Sequence, residues 1–405
     1  MADARFRAVD GGYLVSFVDY EIECLIERLR WERDELFGHL SVACGLAGAR
    51  TVDGSLSAAT LNLSSSRARR ERAKELGERA RTGNKIDFIA LLEDVCQRVI
   101  KAERRGSPAI ILRDVPRPDP DDEYDVDGFR VPKHHGTIGF GDGGTLKSFH
   151  ALYTAGVLAQ RGLRVALFDW ELDAGAHRVR LGQVFGDDMP DVRYVRCERP
   201  LVYEVDRLRK IVRDERLDFA VFDSIGYACP GPPEAAEHAM AYARAVRQCG
   251  IGSYHVAHVR QGENNDQRPF GSCFWHNSAR ATWNVKLAAT SPDGQCHTIG
   301  LFNRKANLSA LRPAVGFTVT FDGDRTWFAP VNVAEVNELA ESLPLWQRMK
   351  TALCRGPQTL ARLAEDLGAS VDTLDRTVRR KTGLFTRVSG PDGVSRIALL
   401  ESRVA

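Results

Sequence analysis

A glycine-rich turn followed by a lysine constrains the fold of this chain more than any other feature. Residues 141–148 read GDGGTLKS, after an apolar segment at 137–140 and before a helix-forming segment at 148–160. Backbone N–H groups at the start of such a helix lack intrahelical acceptors and lie at the positive end of the helix dipole, so they bind phosphate groups. The sequence therefore predicts a strand, a phosphate-binding turn and a helix in that order.

Each residue of this turn has a predicted role in binding ATP. Lys147 would reach the β and γ phosphates, and the Ser148 hydroxyl would hold Mg²⁺. Leu146 stands where the pattern has glycine, which is favoured there because the backbone approaches the phosphates and can need a positive φ. We expect Gly143 and Gly144 to take the strained conformation instead. The predicted ATP contacts are Gly141, Asp142, Gly143, Gly144, Thr145, Leu146, Lys147, Ser148 and Phe149.

Carboxylates follow two other apolar segments. The segment 219–223 ends in Asp223, which would support Mg²⁺ through water. The segment 165–169 is followed by Glu171, a candidate general base for an attacking water. The alternative for Glu171, a solvated residue after a strand, is favoured when that glutamate is considered alone. The glycine-rich turn could alternatively be a link between strand and helix that binds no phosphate. This alternative becomes less favoured once the two carboxylates are considered.

A histidine ends one more candidate strand. The segment 254–258 ends in His258, which could sense the γ-phosphate and is a candidate catalytic residue. A core histidine that contacts a backbone carbonyl is an equally favoured alternative. If these strands are parallel, their polar ends meet at the carboxyl edge of one sheet, where α/β proteins bind ligands.

Composition limits the class of protein and its partners. The chain has 405 residues, and 56 basic residues balance 54 acidic ones, so contacts with nucleic acid would be local. Nine cysteines lie scattered without a C-x-x-C pair, which indicates reduced thiols. The sequence starts with no apolar leader and contains no apolar run of 18 residues, so we expect a soluble cytoplasmic protein without a membrane contact.

The pattern of apolar residues predicts three domains of mixed α and β class. Residues 1–115 form an α+β domain, with helices at 21–36, 65–82 and 86–105 and strands at 40–46, 56–63 and 109–112. An acidic, proline-rich linker follows at 116–131. Seven short apolar segments alternate with helical ones in 132–330, which predicts a mainly parallel sheet. Three short helices and a hairpin in 343–405 predict a winged helix-turn-helix.

The turn, the two carboxylates and His258 together resemble the RecA/DnaB-type P-loop ATPases, and most closely the RepA-like hexameric helicase ATPases of phage and plasmid origin. The resemblance covers residues 132–330 and implies a RecA-like core, ATP and Mg²⁺ as ligands, and Glu171 as catalytic base. Residues 269–272 and 277–283 resemble the segment after a DNA-facing loop. Residues 302–307, FNRKAN, resemble a motif that reaches the γ-phosphate of a neighbouring subunit, which implies catalytic roles in trans for Arg304 and Lys305. Their alternative is a basic turn in solvent.

Basic residues near the C-terminus suggest a contact with DNA. The third helix of that domain carries Arg376, Arg379, Arg380 and Lys381, and Arg387 and Arg396 lie on the hairpin. Side chains of this kind meet phosphates and base edges when a helix enters a major groove. Winged helices also dock proteins, and basic residues near a helix C-terminus favour its dipole in any case. The basic segment 67–74 is better explained as a solvated helix face, and residues 260–268 are a candidate channel loop by resemblance alone.

Two hypotheses from different classes follow from the sequence. The first is a DNA-dependent ATPase of replication or recombination that forms a ring-shaped homo-oligomer, possibly a hexamer, on single-stranded or duplex DNA. The second is an ATP-sensing DNA-binding regulator in which Leu146 keeps turnover low. The sequence favours the first, because a regulator needs neither Glu171 nor Arg304 and Lys305.

Overall fold

The structure is a computed structural model that describes residues 4–82, 85–106, 108–117, 122–259, 268–340, 342–390 and 392–400. The chain divides into two compact units, Met1–Arg117 and Pro118–Ala405. All nine cysteines are free thiols. Among the helices of the described ranges, none has both the length and the apolar character needed to cross a membrane.

The first unit is an antiparallel sheet with two helices. Its strands pair in chain order and are β1 (Ala4–Val9), β2 (Gly12–Phe17), β3 (Ile22–Glu32), β4 (Glu35–Cys44) and β5 (Ser55–Asn62). The helices are α1 (Ser66–Ala80) and α2 (Phe88–Arg105). Ser65 caps α1 and Asp87 caps α2, each by accepting hydrogen bonds from backbone N–H groups of the first turn. Apolar side chains of α2, among them Leu92 and Val95, pack with the buried face of the sheet in one core.

Two expectations for the first unit were wrong. The predicted helix at 21–36 is strand β3, because its apolar residues alternate: Ile22, Cys24 and Ile26 are buried and Glu23 is exposed. This period of two buries one face of the strand, and it outweighs the helical preference of the many charged residues. The predicted strand at 109–112 pairs with no strand of the described ranges, and Ile110 and Ile111 are exposed.

The second unit is built on a large sheet. Its strands are β8 (Gly136–Gly141), β9 (Val165–Asp169), β10 (Val192–Arg196), β11 (Phe219–Asp223), β12 (Gly252–His258), β13 (Ala281–Thr290), β14 (Cys296–Ala306), β15 (Val315–Asp322) and β16 (Arg325–Val331). Their order is β10-β9-β11-β12-β8-β13-β14-β15-β16. The first six strands in that order are parallel, and the last three are antiparallel additions at one edge. The α/β class with a mainly parallel sheet, predicted for this region, is therefore observed.

Helices cover both faces of this sheet. They are α3 (Lys147–Gln160), α4 (Ala174–Phe185), α5 (Leu201–Asp214), α6 (Ile225–Ala228), α7 (Ala236–Cys249), α8 (Cys273–Ser278) and α9 (Asn337–Ala340). Alternate residues of the central strands face two separate cores. Val165 and Leu167 pack on the side of α3 and α4, and Ala166 and Phe168 pack on the side of α5 and α7. Strands buried on both faces explain why these segments read as continuous apolar runs.

The predicted linker at 116–131 is wrong for most of its length. Strands β6 (Glu123–Val126) and β7 (Phe129–Pro132) form a hairpin, whose Val126 and Phe129 are fully buried in the core beside α3. Asp127 and Gly128 have φ angles of 51° and 90°, as an Asp-Gly type I′ turn requires. The acidic composition favoured a linker, but Asp-Gly between alternating apolar residues is a stronger signal. Residues 118–121 of the predicted linker lie outside the described ranges.

The C-terminal residues form three helices and a two-stranded hairpin, as the sequence predicts. They are α10 (Leu345–Leu353), α11 (Leu360–Leu367), α12 (Val371–Arg380), β17 (Phe385–Ser389) and β18 (Ser395–Leu399). Thr359 and Ser370 cap α11 and α12 by accepting hydrogen bonds from the backbone of the first turn. A small apolar core of its own includes Met349, Leu363 and Leu374. The identification of these elements as a winged helix-turn-helix stays a prediction.

Candidate functional site

The site is centred on residues 141–148, called here the lysine loop, which connect β8 to α3. Gly141 ends β8 at a point where a Cβ atom would lie 2.2 Å from the carbonyl oxygen of Val285 on β13. Only glycine fits this close approach between backbones. The Thr145 hydroxyl donates a hydrogen bond of 2.9 Å to the carbonyl oxygen of Asp142, which closes the turn on itself. The loop therefore has a defined shape before the helix begins.

Leu146 adopts the left-handed conformation that the sequence pattern reserves for glycine. Its φ is 58° and its ψ is 24° at the N-cap of α3, while Gly144 has a φ of 75°. The expectation that Gly143 and Gly144 would take up the strained conformation instead is wrong, since Leu146 shares it and Gly143 has no positive φ. A left-handed leucine costs about 1–2 kcal/mol. Packing of Leu146 beside the α3 core offsets part of this cost.

Lys147 is almost completely buried in the loop. Its side chain is 5% exposed, and Nζ donates hydrogen bonds to the Asp142 carbonyl oxygen and, at 3.2 Å, to the Thr145 hydroxyl. Burial lowers the pKa of Lys147 to about 8, although the carboxylates of Asp223, Asp142 and Glu171 act in the opposite direction. A desolvated ammonium with only neutral hydrogen-bond acceptors favours an additional anion, and a phosphate chain is one that this loop can surround.

Asp223 and Ser148 together fit a hard cation. Asp223 ends β11 and is 2% exposed, and its Oδ1 atom has no hydrogen-bond partner among the residues that the structure describes. Burial raises the pKa of Asp223 to about 6, opposed by a hydrogen bond from the Ser148 side chain. A buried carboxylate with one free oxygen beside a hydroxyl suits Mg²⁺, which keeps several waters and uses few protein ligands. Within the described ranges no cluster of three or more His, Cys, Asp or Glu offers a complete protein cage for a metal.

Glu171 lies at the same edge of the sheet, two residues after β9. Its side chain is exposed, and its backbone N–H donates a hydrogen bond of 3.3 Å to Oδ1 of Asp169. Its carboxylate is close enough to Lys147 to act on the pKa of that ammonium. An exposed carboxylate beside a buried lysine ammonium can accept a proton from a water. The structure thus brings Glu171, Lys147, Ser148 and Asp223 together.

Asp169 holds the Glu171 turn in place, a role that the sequence analysis missed. It is fully buried and accepts hydrogen bonds from the Leu172 backbone N–H at 2.9 Å and the Tyr194 hydroxyl at 3.3 Å. Arg196 forms an ion pair with it at 3.5 Å. The sequence does carry a signal for this role, because Asp169 is the carboxylate that ends the apolar segment 165–169. The prediction used only Glu171, which follows two residues later. Asp169 therefore acts on the site through the backbone of Glu171.

His258 ends β12 directly beside the lysine loop. In the parallel register it pairs with Gly141, and its side chain is exposed, so the alternative of a core histidine does not hold. Partial burial lowers the pKa of His258, and the nearby Lys147 ammonium lowers it further. The buried histidine of this strand is His255, which hydrogen-bonds to Tyr242 and Ser253. His258 can therefore contact a group bound in the loop.

Two cavities flank the lysine loop, and both are lined by Asp142 and Gly143. One has a volume of about 690 Å³ and reaches His258 and Ser224. The other has a volume of about 450 Å³ and reaches Asn284 on β13. Both volumes lie in the range of small-molecule sites. Asn284 was missed from sequence; it is 2% exposed and donates a hydrogen bond to the Phe140 carbonyl at 3.4 Å, which ties β13 to the strand before the loop.

Arg304 and Lys305 lie away from the loop of their own chain. Lys305 on β14 pairs with Thr282 on β13, and Thr282 pairs with Ile138 on β8. Ile138 comes three residues before Gly141, so this level of the sheet lies about 10 Å from the lysine loop along the strand direction. Lys305 Nζ donates to the carbonyl oxygens of His276 and Asn277 at 2.7 and 2.8 Å, in the last turn of α8. The Arg304 guanidinium lies 5.2 Å from the centre of the Phe302 ring. Lys305 is held at α8 and is not brought into the site of this chain, so a catalytic role for it would be in trans.

The segments around the candidate channel loop are anchored. The Phe270 backbone N–H donates to the His258 carbonyl at 2.8 Å, and the indole of buried Trp275 donates to the Pro233 carbonyl at 2.8 Å. Of the candidate loop 260–268, residues 260–267 lie outside the described ranges. The segment after residue 268 is thus attached to the end of β12, where His258 pairs with Gly141 of the lysine loop.

The basic side chains proposed for DNA contact are mostly paired within the chain. Arg376 forms an ion pair with Asp372 at 3.5 Å, and Arg379 forms one with Asp375 at 2.6 Å. Lys381 lies 5.1 Å from the centre of the Trp346 ring. Arg380 has no ion pair within the described ranges. On α1, likewise, Arg67–Glu71 and Arg72–Glu75 pairs support the interpretation of a solvated face.

Comparison with known proteins adds little to this geometry. No family model matches the chain, and no curated protein matches it. Solved structures do match; one is a KaiC-like protein from the hyperthermophilic archaeon Pyrococcus horikoshii OT3, with a TM-score of 0.39 and 14% sequence identity. The match covers 49% of this chain and 91% of that one.

Proposed function

We propose that this protein is a Mg²⁺-dependent ATP hydrolase. The observation that carries the proposal is the group formed by Lys147, Ser148, Asp223 and Glu171 at one edge of the parallel sheet. Lys147 supplies a buried ammonium, and Ser148 supplies a hydroxyl next to the buried carboxylate of Asp223. Glu171 supplies an exposed carboxylate. Phosphoryl transfer needs charge neutralisation and an aligned water, and these residues provide both.

Each residue has a distinct role in this proposal. The backbone N–H groups at the start of α3 and the Lys147 ammonium bind the β and γ phosphates. Ser148 and Asp223 would hold Mg²⁺, which neutralises charge on the phosphate oxygens when it is bound. Glu171 accepts a proton from the attacking water, and Asp169 keeps the backbone of Glu171 fixed. His258, which pairs with Gly141 at the end of β12, would contact the terminal phosphate.

We further propose that this ATPase depends on DNA and works as a ring-shaped homo-oligomer in replication or recombination, as the resemblance to RepA-like helicases suggests. The position of Lys305 supports this proposal, since its ammonium donates to the carbonyl oxygens of His276 and Asn277 and not to the lysine loop of its own chain. Arg380 on α12 is the best placed of the four proposed DNA contacts, because it has no competing ion pair in the described ranges. Duplex or single-stranded DNA would serve as the partner.

The test is ATP hydrolysis with and without single-stranded DNA, for the native chain and for Lys147→Ala and Glu171→Gln. We expect DNA-stimulated turnover that both substitutions remove, while Glu171→Gln retains nucleotide binding because it leaves the loop intact. The Arg304→Ala variant by itself should not hydrolyse ATP. Mixed oligomers of this variant and the native chain should also hydrolyse ATP more slowly than oligomers of the native chain. Turnover that survives Glu171→Gln unchanged would contradict the assignment of the base.

The second candidate is an ATP-sensing DNA-binding regulator with little turnover, and the left-handed Leu146 favours it. Its φ of 58° is unfavourable for a leucine at the point where the backbone would approach the phosphates. In this case the native chain binds nucleotide and duplex DNA, but DNA of any form leaves hydrolysis unchanged. Leu146→Gly then separates the two candidates, since it should restore turnover only where the leucine limits an otherwise complete site.

A further inference from the structure

A separate cavity of about 260 Å³ lies where the parallel strands begin, at the opposite end of these strands from the lysine loop. It is called here the edge cavity and is bounded by the starts of β8 and β12 and by α7 and α8. Gly136, which lines it, is five residues before Gly141, or about 17 Å along the strand. The edge cavity therefore shares strands with the proposed ATP site but contains no residue of the lysine loop. Trp275 lines both the edge cavity and the larger cavity that flanks the loop.

The interior of the edge cavity is apolar and closed by satisfied polar groups. Ile138 and Trp275, both at least 95% buried, and half-buried Val246 form its walls. At its base His255 hydrogen-bonds through Nδ1 to the Tyr242 hydroxyl and through Nε2 to the Ser253 hydroxyl, both at 2.8 Å. No polar group of this base needs a ligand. The interior thus suits the apolar body of a small molecule.

The mouth of the edge cavity is basic. Arg247, Arg280, His134 and His135 line it, and no aspartate or glutamate does. Within the described ranges neither Arg247 nor Arg280 forms an ion pair, while His134 lies 3.6 Å from Asp122. Burial lowers the pKa of His135, and the Arg280 charge lowers it further. The guanidinium groups at the mouth therefore have no counter-charge among the lining residues, and guanidinium groups bind carboxylates and phosphates with good geometry.

We propose that the edge cavity binds a small organic anion, with its apolar body against Ile138 and Trp275 and its carboxylate or phosphate group at Arg247 and Arg280. A nucleic acid fits less well, because its backbone phosphates would meet the arginines but leave the apolar interior without a partner. The proposal does not rest on ATP hydrolysis, since the cavity and the lysine loop share no residue. It assigns a second ligand site to this domain.

The test uses three probes of one shape: 2-naphthoate, 2-naphthyl phosphate and the neutral 2-naphthalenemethanol. Calorimetric titration of the full chain should show one naphthoate or naphthyl phosphate bound per chain, with the alcohol about tenfold weaker. The stronger of the two anions identifies whether a carboxylate or a phosphate is the preferred group. Absence of saturable binding for both anions, or equal affinity for the alcohol, would overturn the proposal.

Matched variants locate the binding. Arg247→Met and Arg280→Met should each weaken anion binding about fivefold, because the pairs are partly exposed. Arg244→Met is the control, since Arg244 is exposed on the same helix α7 but does not line the cavity. Ala243→Leu narrows the cavity and should remove binding of all three probes, with folding checked by circular dichroism. Unchanged binding in Ala243→Leu would place the probes elsewhere and refute the site.

A last arm separates this proposal from the proposed function. Lys147→Ala should bind 2-naphthoate as the native chain does, although we expect it to lose ATP hydrolysis. Loss of naphthoate binding in a folded Lys147→Ala variant would place the anion at the lysine loop and overturn the edge cavity as its site.

Discussion

Charged residues are arranged in opposite ways in the lysine loop and on α12. Lys147 in the loop and Asp223 at the end of β11 are both buried, and burial moves the pKa of each toward neutral pH. On α12, Arg376 and Arg379 are about three-quarters exposed and lie beside Asp372 and Asp375. Burial of incompletely paired charge costs stability and is kept where chemistry needs it, whereas exposed pairs contribute little either way. From this contrast we expect Lys147 to bind a ligand, and Arg376 and Arg379 to stabilise their helix.

Asp223→Asn should change hydrolysis and stability more than any other substitution that tests this contrast. We expect hydrolysis to fall about 100-fold to 1000-fold, because the carboxylate beside Ser148 is lost. The free protein should meanwhile become about 3 kcal/mol more stable at pH 7, since the pKa of Asp223 rises from 3.8 to about 6 on folding. Chemical denaturation and a phosphate-release assay measure the two effects.

Asp375→Asn is the matched control on α12. It removes the acidic partner of Arg379 and Arg387 and should destabilise the chain by at most about 1 kcal/mol, with hydrolysis unchanged. If both aspartates gave the same sign of stability change, the contrast between the two regions would not hold.

The next effect is a dependence of stability on pH that originates in Lys147. Folding lowers its pKa from 10.5 to about 8, so between these values the unfolded chain binds more protons and stability rises with pH. The slope should approach about 1.4 kcal/mol per pH unit at most. Denaturation between pH 7.5 and 10 should show this rise in the native chain and a smaller one in Lys147→Met. Equal slopes in the two proteins would contradict the burial of a charged lysine.

A third effect concerns the backbone of the loop. Leu146→Ala and Leu146→Gly lose almost the same side chain, but only glycine relieves the left-handed strain. We therefore expect the glycine variant to be about 1 kcal/mol more stable than the alanine variant, the reverse of their order in ordinary conformations. Thermal denaturation of the two variants measures this difference. A more stable alanine variant would mean that Leu146 is not left-handed in solution.

The smallest effect is expected from the arginines of α12. If this helix contacts DNA phosphates, Arg380→Ala should lower the slope of log affinity against log salt by about 1. Arg379→Ala should change the slope less, because Asp375 already competes for that side chain. Binding of duplex DNA at several salt concentrations measures both. Equal slopes for Arg380→Ala and the native chain would remove α12 from the DNA interface.

The sequence predicted the parallel strands and their polar ends well, since fully buried strands read as apolar runs that end in a single carboxylate or histidine. It failed at β3, where charged residues on the exposed face obscured the period of two. It also failed at Phe129, because an acidic composition hid an Asp-Gly turn. For the site, Lys147, Ser148 and Asp223 could be placed from local pattern. Asp169 and Asn284 could not, because their roles depend on contacts between strands that are distant in sequence.

The hairpin of β6 and β7 has a practical consequence for cutting this protein into fragments. The Phe129 ring lies 4.7 Å from the His150 ring and 5.1 Å from the rings of Tyr254 and Trp283, centre to centre. A fragment that starts at residue 132, the boundary suggested by composition, would lack Phe129 and expose the first turns of α3 to water. A fragment that starts at residue 122 keeps this aromatic cluster whole. Expression of the second unit by itself should therefore begin ten residues earlier than composition suggests.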